Sequence, residues 1–233
     1  MKALRLKLYQ QTACYKKPFA FKVSETYPLP PHSTVKGMLH AILNAKELIP
    51  MQISIQGSYD TLVTDYQTHY FFKTEKTEEF ALTTDGLGIS REFGNITTMP
   101  IYTHMLYDVS LIIHVGASDD VLSELEERIL KGNIHLSLGR WEDLVRIDAC
   151  EQVEITIEDE EIILEQNAYV PNEILGETEH FPYSLNWTYR IIDGVRVWDK
   201  LKVGYVQPGS VVYCEEGLLL DPDGNGVFFP NPK

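Results

Sequence analysis

The chain has 233 residues, 44% hydrophobic and 23% charged, which is enough to bury a core in one large domain or two small ones. Its three cysteines, Cys14, Cys150 and Cys214, lie far apart and support neither a disulfide framework nor a cysteine zinc site, and no run approaches the roughly 18 apolar residues of a membrane span. A formal net charge of −14 argues against general affinity for phosphate backbones.

That charge is unevenly spread. Residues 1–50 balance at +6, 51–115 at −5, 116–180 at −14 and 181–233 at −1. A basic first segment on an acidic body suggests a localised anion site, or simply a solvated face. The N-terminus has no apolar secretory core, so a cytoplasmic protein without membrane attachment is expected.

Residues 2–10 alternate, with Leu4, Leu6 and Leu8 on one face and Arg5, Lys7 and Tyr9 on the other, as in a half-buried strand. A proline-rich loop follows. Val35, Met38, Leu39, Ile42 and Leu43 then recur at the spacing of one helical face, with Ser33 or Thr34 as the expected N-cap. Strands are expected at 51–57 and 61–72, and residues 73–100 read as a long polar excursion containing Arg91. Residues 107–115 form a further strand. A second helix has Asp119 and Asp120 in its first turn and stops at Gly132; a strand over 134–138 ends at Gly139. Beyond residue 144 come β-like runs at 153–157, 162–164, 189–197 and 210–214. Up to residue 140 the order is βαββαβ, that of a ferredoxin-like α+β unit whose helices cover one sheet face and leave the other free. Arg5, Lys7 and Tyr9 would lie on that free face, which RNA-recognition folds use.

Two segments carry candidate chemistry. Ser33, Thr34, Lys36 and Gly37 open a helix with free N–H groups, two hydroxyls and a lysine, a suitable anion site, although an ordinary capped helix accounts for the same residues. Gly37 is unusual in a regular helix and suggests close approach of another backbone. Gly139, Arg140 and Trp141 end a strand, where arginine could grip a phosphate and tryptophan stack a base. Alternatively, Trp141 is a partly buried aromatic and Arg140 pairs with Glu142 or Asp143. The seven histidines are dispersed without metal-ligand spacing, and no nucleophile, dinucleotide or phosphate-loop signature is present, so neither metal, cofactor nor catalysis is expected.

The stretch from Tyr27 to Ala41, containing Pro30-Pro31-His32-Ser33-Thr34-Val35-Lys36-Gly37-Met38-Leu39, follows a basic strand and is joined by Leu138-Gly139-Arg140-Trp141-Glu142-Asp143. Together these resemble CRISPR-associated (Cas) protein 5, the RAMP-superfamily subunit of type I Cascade complexes, and most closely its type I-B branch. The resemblance is weakest over residues 160–233. It implies an RRM-like domain over residues 1–150 with a thumb-like insertion at about 60–103, and a β-rich C-terminal region over 151–233. It also implies a non-catalytic subunit that holds the 5′ handle of the crRNA beside the backbone and large subunits, reaching target DNA only through the complex. By that resemblance Ser33, Thr34, Lys36 and Gly37 lie in one RNA-binding motif and Gly139 and Arg140 in another; charge alone adds Arg5, Lys7, Lys16, Lys17 and Arg91. The type I-C branch is a metal-independent endoribonuclease that processes precursor crRNA with a tyrosine, a lysine and a histidine. No lysine and histidine adjoin in this chain, so that activity is the alternative expectation.

Overall fold

The computed structural model describes residues 1–18, 20, 23–72, 96–132, 135–158 and 161–231. In chain order the elements are β1 (Lys2–Ala13), β2 (Val23–Ser24), α1 (His32–Ile42), β3 (Gln52–Ser58), β4 (Thr61–Phe72), β5 (Ile96–Gly116), α2 (Asp119–Leu130) and β6 (Arg146–Glu154). There follow β7 (Thr156–Ile157), β8 (Glu161–Ile163), β9 (Asn167–Pro171), α3 (Asn172–Leu175), β10 (Phe181–Ile192), β11 (Val195–Val206), β12 (Val211–Tyr213) and β13 (Leu219–Leu220). This is a mixed α/β fold on one large sheet of order β10-β11-β9-β3-β5-β1-β6, antiparallel along that path. The sheet runs across residue 150, because β9, β10 and β11 extend the edge at β3.

The alternation of β1 decides which face is buried. Leu4, Leu6 and Leu8 pack with Val35 and Leu39 of α1 and Leu122 and Leu125 of α2 in the main core. Ile53 and Ile55 of β3 and Ile113 and Val115 of β5 join them. Asp108, at φ 57°, marks where β5 leaves the core, since Val109 is buried and Tyr107 is exposed. From there β4 and β5 continue as a two-stranded hairpin, registered from Thr61↔Tyr107 to Phe72↔Ile96. The expected excursion therefore begins as regular sheet; Arg91 and its neighbours lie outside the described residues.

Three expectations need correction. First, α1 is capped by Pro31 rather than Ser33 or Thr34: the extended ψ of 148° turns its carbonyl to accept from Thr34 and Val35 N–H. Second, no strand is formed over the described residues 135–138. Gly139, at φ 111°, folds the chain back so that Ser137 bridges only Leu144, and the strand beside β1 is β6. Third, residues 189–197 are not one strand, because Asp193 (φ 50°) and Gly194 (φ 77°) make the tight turn between β10 and β11.

The sheet face away from the helices is not free either. Residues 221–229 lie across it, and the Asp221 carboxylate, fully buried, accepts from Arg5 at 2.7 Å and from His114 Nε2 at 3.1 Å. Its other oxygen accepts from the backbone N–H groups of Asp223 and Asn225. Burial alone would raise the Asp221 pKa, but these donors outweigh it and hold the carboxyl well below the usual range. Ser54 Oγ accepts from Phe228 N–H and Gln56 donates to the Gly226 carbonyl, so β1, β3 and β5 all anchor the segment.

A second buried cluster joins α1 to the sheet extension. The His32 ring lies 5.8 Å from that of Tyr169 and 6.2 Å from that of Trp187, and neither of its nitrogens has a hydrogen-bond partner among the described residues. Burial, aided by the charge of Lys36, pushes the imidazole down to about 3.

Two outcomes follow. Asp221→Ala leaves Arg5 buried beside an empty place, and should cost about 3–5 kcal/mol in urea unfolding; a loss below about 1 kcal/mol would show that the network does not anchor the segment. His32 stays neutral when folded down to about pH 3 while the unfolded chain protonates near its ordinary 6.5, so stability falls as pH drops through that window. His32→Leu should flatten the fall in urea midpoint between pH 6.5 and pH 3.5; equal slopes in both proteins would contradict the assignment.

Candidate functional site

The predicted basic residues separate into three places. Arg5 is 5% exposed and its guanidinium meets Asp221, Asp223 and Glu151, each at 2.7 Å, so it is spent inside the protein and unavailable to a phosphate. Lys7 is half-buried and pairs with Asp223 at 3.1 Å. The alternation that put both on the far face holds; the C-terminal segment, supplying the acids, was not visible from it.

Lys16 and Lys17 lie at the root of the β4–β5 hairpin. Lys16 bridges Thr26, and the neighbouring β2 runs parallel to β5, pairing Val23 with Tyr102. Lys16 is exposed, while Lys17 pairs with Glu25 at 3.3 Å. The Gly139 turn docks on the same region: Asp143 Oδ2 accepts from Cys14 N–H at 2.9 Å and from Arg140 N–H at 2.8 Å. A Cβ at Gly139 would stand 2.8 Å from that oxygen and 3.0 Å from the Cys14 carbonyl, which, with its positive φ, is why glycine is needed there. Arg140 pairs with Asp143 at 2.7 Å and Glu142 at 3.0 Å, and reaches Gln67 on β4. Trp141, by contrast, is 85% exposed. Tyr66 and Tyr102 pair across the hairpin with ring centroids 5.3 Å apart, and both are exposed. They project from the hairpin face opposite Gln67 and Met105, the side that Arg140 reaches, so the tyrosine pair and the Gly139 turn lie on different faces of the hairpin.

Ser33, Lys36 and Gly37 line a different place, a cleft of about 440 Å³ between α1, the 45–48 loop and the β10–β11 hairpin. Thr34, one residue beyond Ser33, is half-buried and donates its N–H to Pro31. Lys36 is 7% exposed; its ammonium sits 3.9 Å from the centroid of the Trp187 ring with no hydrogen-bond partner among the described residues. Burial pushes it down to about 8. Gly37 meets no close backbone, since a Cβ there would find no atom within 4 Å. His40 also lines the cleft, but its ring is committed: Nδ1–H donates to the Lys36 carbonyl and Nε2 accepts from Ile49 N–H, both at 2.9 Å.

Trp187, Tyr189 and Trp198 form the opposite wall and were not among the sequence candidates. The signal that could have found them is Asp193-Gly194 flanked by alternating apolar residues, which marks a hairpin and brings Tyr189 to Trp198, 5.1 Å between rings. Ring contacts then join the two regions: Lys17 over Tyr27, Tyr27 to Tyr183, Tyr183 to Tyr169, Tyr169 to His32 and His32 to Trp187. Among the described residues no group of three or more His, Cys, Asp or Glu could hold a metal ion, and no helix is long and apolar enough to cross a membrane.

Comparison with known proteins adds to this geometry. No curated protein matches the chain. Among solved structures it is similar to a chain of a "CRISPR RNA-guided surveillance complex", with a TM-score of 0.56 at 14% identity over 90% of this chain and 91% of that one. A "CRISPR protein from Archaeoglobus fulgidus" aligns over 99% and 100% with a TM-score of 0.49 and 12% identity. At 14% identity the first likeness concerns the fold, the mixed α/β arrangement on a large antiparallel sheet. The family model described as CRISPR-associated protein (Cas_Cas5) matches residues 3–206, nearly the whole length, and the chain therefore belongs to the Cas5 family of CRISPR-associated proteins.

Proposed function

We propose that this protein is a non-catalytic, cytoplasmic subunit of a type I, I-B-like CRISPR effector complex. In this reading it holds the 5′ handle of the crRNA beside the backbone and large subunits, while guide pairing supplies target specificity. The observation that carries it is the exposed Trp141 on the turn that Asp143 ties to Cys14, two residues before the exposed Lys16, on an otherwise acidic chain, with Tyr66 and Tyr102 exposed on the adjoining β4–β5 hairpin. Aromatic faces stack unpaired bases and lysines neutralise phosphates, so such a surface suits a single strand. Family membership and the likeness to a chain of an RNA-guided surveillance complex support the reading. The order β3-β5-β1-β6, with helices after β1 and β5, fits the ferredoxin-like, RRM-like core of RAMP proteins. In this reading the β4–β5 hairpin belongs to the thumb-like insertion.

A nuclease reading has one observation in its favour, since the cleft gathers Lys36, His40 and Tyr189. Against it, both ring nitrogens of His40 are taken by backbone groups, which leaves the imidazole no free site for proton transfer.

Labelled CRISPR repeat RNA incubated with the full chain in chelator should remain uncut at any specific position; discrete cleavage products would overturn the non-catalytic assignment. Charge reversal of Lys16 and Lys17 should weaken crRNA retention by the assembled complex and reduce the salt slope of log affinity by about one per lost phosphate contact. Unchanged retention and slope would remove these lysines from the interface.

A further inference from the structure

Three features of the cleft beside α1 are not explained by folding. Lys36 carries its ammonium into a buried site with no hydrogen-bond partner among the described residues, 3.9 Å from the centroid of the Trp187 ring. An unpaired buried cation is costly, and an uncharged chain of the same length would fill that path at lower cost. Gly37 sits inside a regular helix, where glycine costs about 1 kcal/mol against alanine. No neighbour demands it, for a Cβ there meets open space, and the missing side chain leaves that part of the cleft lining open. Finally, Tyr189 is 45% exposed on the opposite wall, its ring tilted against Trp198 and with the Arg196 guanidinium 4.8 Å over it, an aromatic and cationic surface held out of the core.

The chemistry of these features is that of one ligand. Flat aromatic walls suit a planar ring, and a desolvated ammonium suits an anion attached to it. Lys46 stands at the rim with Ser33 nearby, and the single acid lining the cleft, Glu47, is exposed to solvent, where its repulsion is screened. A volume of about 440 Å³ lies within the range of small-ligand sites.

We propose that the cleft is a nucleotide site, separate from the surface at the hairpin root, in which the base packs against Tyr189 and Trp198 and Lys36 leaves the Trp187 face to hold the phosphate. The nucleotide is either free or turned out of an RNA strand. The strand-borne form rests on the RNA-holding reading above, whereas the free form stands without it. Gly37 is the residue that reserves the space.

The test titrates the full chain with uridine and adenosine 5′-monophosphates, with uridine as the uncharged control, and with a single-stranded hexaribonucleotide, following tryptophan fluorescence. Lys36→Met should lower monophosphate affinity about tenfold or more while leaving uridine unchanged, as loss of one charge-assisted contact requires. Gly37→Leu should abolish monophosphate binding with an unfolding temperature equal to or above that of the wild type. If the hexaribonucleotide alone is weakened about tenfold by both substitutions, the site takes its nucleotide from a strand; if the monophosphates alone are weakened, it takes a free one. Absence of binding by every probe, or affinities unchanged in both variants, would overturn the proposal. Unchanged cleft variants with crRNA retained by the complex would remove this inference alone. Monophosphate binding without any crRNA in the complex would instead remove the RNA-holding reading.

Discussion

The buried carboxylate of Asp221 is the constraint on which the arrangement of this protein turns. A lone charge at that depth would be intolerable, and it is stabilised because β1 supplies Arg5, β5 supplies His114 and the turn at 223–225 supplies backbone N–H groups. The network spans 216 residues of sequence and fixes the C-terminal segment across the sheet. It closes the face opposite the helices at Arg5, and so moves the surfaces available to a ligand to the hairpin root and to the helix side.

Those two surfaces differ in kind. At the hairpin root, Trp141 and Lys16 are exposed, Lys17 pairs with Glu25, and Asp143 ties Cys14 and Arg140 together. Such a surface accepts a flexible strand without specifying much of it. The cleft beside α1 is a recess, and its buried cation, Lys36, has no hydrogen-bond partner among the described residues and is pressed on an aromatic face. The ring contacts running from Lys17 through Tyr27, Tyr183, Tyr169 and His32 to Trp187 make the ground between them one packed body.

Much of the fold is legible in local pattern. The period of two in β1 and the helical spacing of Val35, Leu39 and Ile42 identify the core faces, because burial selects apolar residues at the repeat of each element. The errors share a cause. Ile134 to Leu138 reads as a strand on its alternation, yet the positive φ at Gly139 and the pull of Asp143 turn the chain back there. Tyr189 to Val197 reads as one strand because the apolar pattern continues through Asp193-Gly194, and the turn chemistry of that pair outweighs it. Arg5 looks like a surface cation because nothing near it in sequence is acidic; its partners are Glu151, Asp221 and Asp223.

By itself the sequence determined the two helices of the core, the first strand, the basic character of the first fifty residues and the motifs that place the chain in its family, since each is written in residues near one another. Only the tertiary structure decided which of those basic residues are free. Arg5 is consumed by acids more than 140 positions away, Lys36 is enclosed by a hairpin beginning at Phe181, and Lys16 remains in solvent. The reason is physical: the state of a charged group depends on its desolvation and its nearest opposite charge, and both are set by contacts between distant segments.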